Sequence, residues 1–139
     1  METSNNVGFE VSHVFPVSQA KLFKAFIDAN TLKQIWGVSS ISVDARPGGH
    51  ARAELSFENE SWDFTISYQD VMPHHTLRWI VHFDRFPNKE PQATLLFSAM
   101  GSGAEVTVRM KNFETAHERD SNKQAWEGAL RKLEEIFAT

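Results

Sequence analysis

The sequence predicts an α+β fold in which a curved antiparallel sheet of about six to seven strands surrounds a long C-terminal helix. Three observations carry that expectation. From about residue 40 to 113, apolar and polar residues alternate with the period of two that marks strands with one covered face. Helical periodicity is confined to a short region after the first strand and to the last twenty or so residues. Strands and helices are therefore grouped rather than interleaved, which argues against repeated parallel βαβ units.

In chain order, Phe9, Val11, His13 and Phe15 alternate with Glu10, Ser12 and Val14, giving a strand near 8–15. Ser18 is placed to cap a helix with Leu22, Phe23, Phe26 and Ile27 on one face, ending near Asp28 to Asn30. A second helical turn carries Leu32, Ile35 and Trp36 and stops at Gly37. The following strands are punctuated at Pro47-Gly48-Gly49, Asn59-Glu60, Met72-Pro73, 86–91 and Gly101-Ser102-Gly103. Their apolar face is expected to collect Ala53, Leu55 and Phe57; Trp62, Phe64, Ile66 and Tyr68; Leu77, Trp79, Val81 and Phe83; Leu95 and Phe97; and Val106, Val108 and Met110. Ser121 and Gln124 have capping-box spacing ahead of Trp126, Ala129, Leu130 and Leu133, so the final helix is expected to start there.

A length of 139 residues suits one domain over 1–139, with residues 1–7 expected to be flexible. No apolar run approaches the roughly 20 residues of a membrane-spanning helix. The N-terminus lacks a secretory signal pattern, so a cytoplasmic location without membrane insertion is expected. A net charge of -4 without a basic cluster argues against nucleic acid as a partner. With no cysteine, thiolate nucleophiles, disulfides and thiolate metal sites are excluded.

Candidate motifs read mostly as structure. Gly48-Gly49 precedes a strand rather than a helix, which makes it a turn and not a phosphate cradle. His75 and His82 differ by an odd number and point to opposite strand faces, so they form no metal pair; neither a metal nor another cofactor is expected. Asp63, Asp70, Asp84 and His82 could be paired for acid–base work only on paper, since Asp63, Asp84 and His82 lie on the wet face or in loops. His13 and Tyr68 are polar groups on the apolar face, where each needs a partner or a ligand.

Several segments, in order and at the right spacing, resemble the activator of heat-shock protein 90 ATPase homologue-like family of the SRPBCC, or START-like, superfamily. They are Val17-Ser18-Gln19-Ala20-Lys21-Leu22-Phe23-Lys24-Ala25-Phe26, Asp28 to Leu32 with Trp36-Gly37, Val43-Asp44-Ala45-Arg46-Pro47-Gly48-Gly49, Trp79, and Trp126-Glu127-Gly128-Ala129-Leu130. His13 departs from the basic residue, often Arg, expected near that position. The resemblance implies a helix-grip fold, its sheet and long helix enclosing an apolar cavity. Within that fold, Trp62, Phe64, Tyr68, Trp79, Phe97 and Trp126 are the expected lining, with His13 or Tyr68 as polar contacts to a small hydrophobic ligand. A chaperone-associated domain acting on the heat-shock protein 90 ATPase, and a polyketide cyclase-like enzyme on an apolar substrate, are the alternatives the resemblance leaves open. No catalytic residue carries over.

Overall fold

A computed structural model of the chain describes residues 7–138. The elements run β1 (Val7–Phe15), α1 (Gln19–Ala25), α2 (Ala29–Trp36), β2 (Ser40–Val43), β3 (His50–Glu54), β4 (Ser56–Phe57), β5 (Glu60–Ser61), β6 (Phe64–Met72), β7 (Thr76–Phe83), β8 (Gln92–Met100), β9 (Gly103–Phe113) and α3 (Ala116–Ala138). Seven strands form an antiparallel sheet in the order β1-β9-β8-β7-β6-β3-β2, and β4 and β5 form a separate ribbon. The expected α+β grip is the fold found. The expectation of a flexible start falls outside the described residues except at Val7, which pairs with Phe113. No described helix is long and apolar enough to cross a membrane.

Local chemistry explains the helix boundaries. The Ser18 hydroxyl accepts a hydrogen bond from the Lys21 amide at 3.1 Å and starts α1. Asp28 does not close that helix but opens α2: its carboxylate accepts from the Thr31 amide at 2.9 Å and the Thr31 hydroxyl at 2.8 Å. Those bonds hold the Asp28 carboxyl below its usual pKa. Gly37 ends α2 in the left-handed region at φ 68°. The cap of α3 lies six residues before the expected one. The Thr115 hydroxyl accepts from the Glu118 amide and the Glu118 carboxylate from the Glu114 amide, each at 3.1 Å. Ser121 sits inside the helix. Apolar periodicity misplaced this start because the buried residues of α3 begin only at Trp126, leaving its first ten residues without a buried side chain.

The sheet follows the alternation except at three places. Leu55 breaks the ladder, its amide donating to Asp63 Oδ1 at 3.0 Å, and the chain turns into the β4–β5 ribbon. Glu58 and Asn59 both take positive φ there, as a two-residue type I′ loop requires. Phe57, expected to face the core, is consequently 61% exposed. An extra residue in β6 between Tyr68 and Asp70, and another in β9 at Asn112 (φ 73°), bulge their strands. Bulges bend a strand and increase its twist, here curving the sheet over α3. The second one also returns Phe113 to the core, where it is 3% exposed.

Phe15, Leu22, Phe26, Leu32, Ile66, Leu77, Leu95, Val106, Val108 and Leu133 are the largest fully buried side chains. They fill the space between the concave sheet face, α1, α2 and α3. The Pro47-Gly48-Gly49 turn leads into β3, with Gly48 at φ 82° and no neighbour near a would-be Cβ. Gly48→Ala is therefore expected to cost about 1 kcal/mol through backbone strain alone. Gly49 has an ordinary φ, but a Cβ there would collide with the Asp44 carbonyl oxygen. Gly49→Ala should consequently be the more destabilising of the two in urea melts, and the reverse order would contradict this account of the turn.

Candidate functional site: an aromatic cavity between sheet and helix

A cavity of about 180 Å³, open to solvent on one side, lies between the sheet and the N-terminal half of α3. The strands contribute Phe64, Ile66, Trp79, Val81, Phe83 and Met110, the β7–β8 connection Pro91, and the helices Ile35, Trp36, Asn122, Ala125 and Trp126. The alternation places the strand residues there: Phe64 and Ile66 are two apart, as are Trp79, Val81 and Phe83, and each set points to the concave face.

Three tryptophans form one wall. Trp36 meets Trp126 edge-on at 6.2 Å between ring centroids and Trp79 at 6.2 Å, while Trp79 and Trp126 are 6.4 Å apart at 30°. Phe64 extends this wall, 6.1 Å from Trp36 and 5.4 Å from Phe83. Such tilted and edge-to-face contacts are the arrangement that aromatic quadrupoles favour. Buried Trp126 satisfies its indole N–H by donating to Met110 Sδ at 3.2 Å.

Charge stays at the rim. Lys89, two residues before Pro91, pairs with Glu118, one helical turn before Asn122, and lies 3.5 Å from Glu114. This pair ties the β7–β8 connection to α3 beside the cavity. The hydrogen bond from Lys89 holds the Glu118 carboxyl below its usual pKa and raises that of the lysine. Among the described residues, no lining side chain is itself ionisable.

Of the lining expected from sequence, Phe64, Trp79 and Trp126 come together at this cavity. Phe97 is buried one layer away, its ring 5.2 Å from Phe23 and 5.7 Å from Phe26. Tyr68 lies behind Trp79 at 6.1 Å and does not line the space. Trp62 stands outside the grip, its ring 4.4 Å from the Arg85 guanidinium and 5.9 Å from Phe86. His13 does face inward, but toward the far end of α3, 3.6 Å from Glu134 and with its ring tilted against Phe15 at 4.5 Å between centroids. Asn122 and Glu134 are twelve residues apart in α3, or about 18 Å along the helix at 1.5 Å per residue.

Sequence reasoning missed Trp36, Phe83 and Asn122 as lining. A signal for Asn122 exists: carried back one turn from Trp126, the buried stripe of α3 arrives at residue 122. On the opposite sheet face, Arg52 binds Asp84 at 2.6 and 2.8 Å and Arg78 binds Asp70 at 2.5 Å, so these carboxylates act as ion-pair partners. No group of three or more metal-ligating side chains occurs among the described residues.

A curved sheet gripping a long helix around an apolar space defines the helix-grip class of domains. The family model described as activator of Hsp90 ATPase homolog 1-like protein matches residues 16–138, and the chain belongs to that family. No curated protein matches the sequence. Among solved structures, protein CV1439 from Chromobacterium violaceum is similar at 18% identity over 94% of this chain and 96% of that one, with a TM-score of 0.82. The Mll3558 protein from Rhizobium loti matches at 20% identity, over 93% of this chain and 95% of that one, with a TM-score of 0.79. Ara h 8.0201 matches at 19% identity, over 94% and 96% of the respective chains, with a TM-score of 0.78. Likeness at these identities speaks for the fold.

Proposed function

We propose that this protein binds a small hydrophobic molecule in the cavity, with Phe64, Trp79 and Trp126 as contact surfaces, and catalyses no reaction on it. The observation that carries the reading is an aromatic-walled space of about 180 Å³ reaching solvent. Apolar cavities of roughly 150 Å³ stay dry and accept benzene, so a space of this size suits a guest of a ring or two better than a long acyl chain. The lining supports binding over acid–base chemistry because it offers no titratable side chain. This counts against the cyclase-like alternative.

The test is a titration of the tryptophan emission with toluene, since three of the four tryptophans line the space. A saturable change is expected. A response that never saturates would reject the reading, because a filled interior packs at crystal density and takes no guest. The family's description favours one other reading, a domain that binds the Hsp90 chaperone. Capture of that chaperone by protein that takes up no apolar probe would decide for it.

A further inference from the structure

Resting on the ligand-binding reading above, we infer that the cavity selects a neutral, flat aromatic molecule carrying one hydrogen-bond donor, of phenol or indole type, and that Asn122 Oδ1 receives that donor. Asn122 is the lining residue whose side chain brings a carbonyl acceptor. Its orientation is fixed by the helix that bears it. The Nδ2 group donates to the Glu118 backbone oxygen at 2.9 Å. A flipped amide would set two acceptor oxygens against each other, so Oδ1 must be the atom directed away from that carbonyl. Among the described residues no hydrogen bond engages Oδ1.

Most other polar groups nearby are already used, while the indole N–H groups of Trp36 and Trp79 are donors and cannot receive a ligand's donor. The Trp126 indole N–H is bound to Met110 Sδ, and the Pro91 carbonyl accepts from the Val81 amide at 2.9 Å. At the rim, Lys89 is paired with Glu118 and Glu114. A charged ligand would thus lose its hydration without an unpaired counter-charge in the lining, at a large desolvation cost. An uncharged ring with an O–H or N–H meets the aromatic wall with its faces and Asn122 with its donor. A pure hydrocarbon or an acceptor-only ligand makes no bond to Oδ1 and leaves it to water.

Phenol, toluene and anisole separate these cases, because they share one ring and differ in carrying a donor, nothing, or an acceptor alone. Dissociation constants are measured for the full chain and for Asn122→Ala by tryptophan emission or calorimetry. Alanine is a better helix former than asparagine, so the variant keeps α3. Loss of one neutral hydrogen bond should weaken phenol roughly two- to tenfold in the variant, with toluene and anisole unchanged. If phenol is unaffected, or all three probes weaken together, the donor assignment falls while the cavity remains a binding site. If none of the three saturates on the full chain, the binding reading fails and takes this inference with it.

Discussion

Trp126→Ala is expected to destabilise the protein by about 3–5 kcal/mol, the range for removing a buried large aromatic side chain. Trp126 is 8% exposed and joins two aromatic groups at once. On one side it touches Phe26 at 6.3 Å, whose ring meets Phe97; on the other it touches Trp36 and Trp79. It is thus a point at which α3 contacts both the α1–α2 end of the core and the sheet. Removal also leaves the Met110 thioether without its donor and merges the emptied volume with an existing cavity open to solvent. Water entering that space would relieve part of the loss, which favours the lower half of the range. Urea melts measure it directly. A loss below about 1 kcal/mol is what surface positions give, and would make α3 peripheral to the fold. The variant should at the same time lose saturable probe binding, because one wall of the cavity is gone.

The extent of this fold that could be read from sequence depends on which signals are local. Period-two alternation identified β6 to β9 and their concave face because that face is covered along its length, and Ser18 and Gly37 marked helix ends by their own capping chemistry. The start of α3 was hidden because a helix overhanging its core shows no apolar period in its first turns. The β4–β5 ribbon was hidden for a different reason: Glu58 and Asn59 adopt positive φ without glycine, and the Asp63 side chain takes the Leu55 amide from the ladder. At the site, alternation tells which side chains point inward but not which of them meet. His13 and Phe64 are both inward by pattern, yet sheet curvature carries one to the far end of α3 and the other to the cavity. Trp62 falls just before the start of β6, where the pattern no longer governs direction, and it packs on Arg85 outside.

Tyr68, the single tyrosine of the sequence, gives a second large effect through proton linkage. Its ring is 3% exposed, and its phenol is pushed up to about 12, first by burial and then by the nearby charge of Asp44. In the unfolded chain it titrates at the ordinary value of about 10. Between these two values the folded state keeps a proton that the unfolded state has lost, so stability falls as pH rises through this window. The contribution is complete below about pH 10 and is lost by the folded value; two units at 1.36 kcal/mol each make it on the order of 2–3 kcal/mol. The readout is the difference between the wild-type protein and Tyr68→Phe, which cancels every contribution other than that of the phenol. Wild-type stability in urea melts should fall more steeply than the variant's above pH 10, by about that total. Because no other tyrosine contributes, tyrosinate absorbance follows the same group, and it should rise near 12 in the native protein and near 10 in denaturant. Parallel stability curves, with native absorbance rising at the unfolded value, would place the phenol in water and remove Tyr68 from the layer that backs Trp79 and the cavity wall.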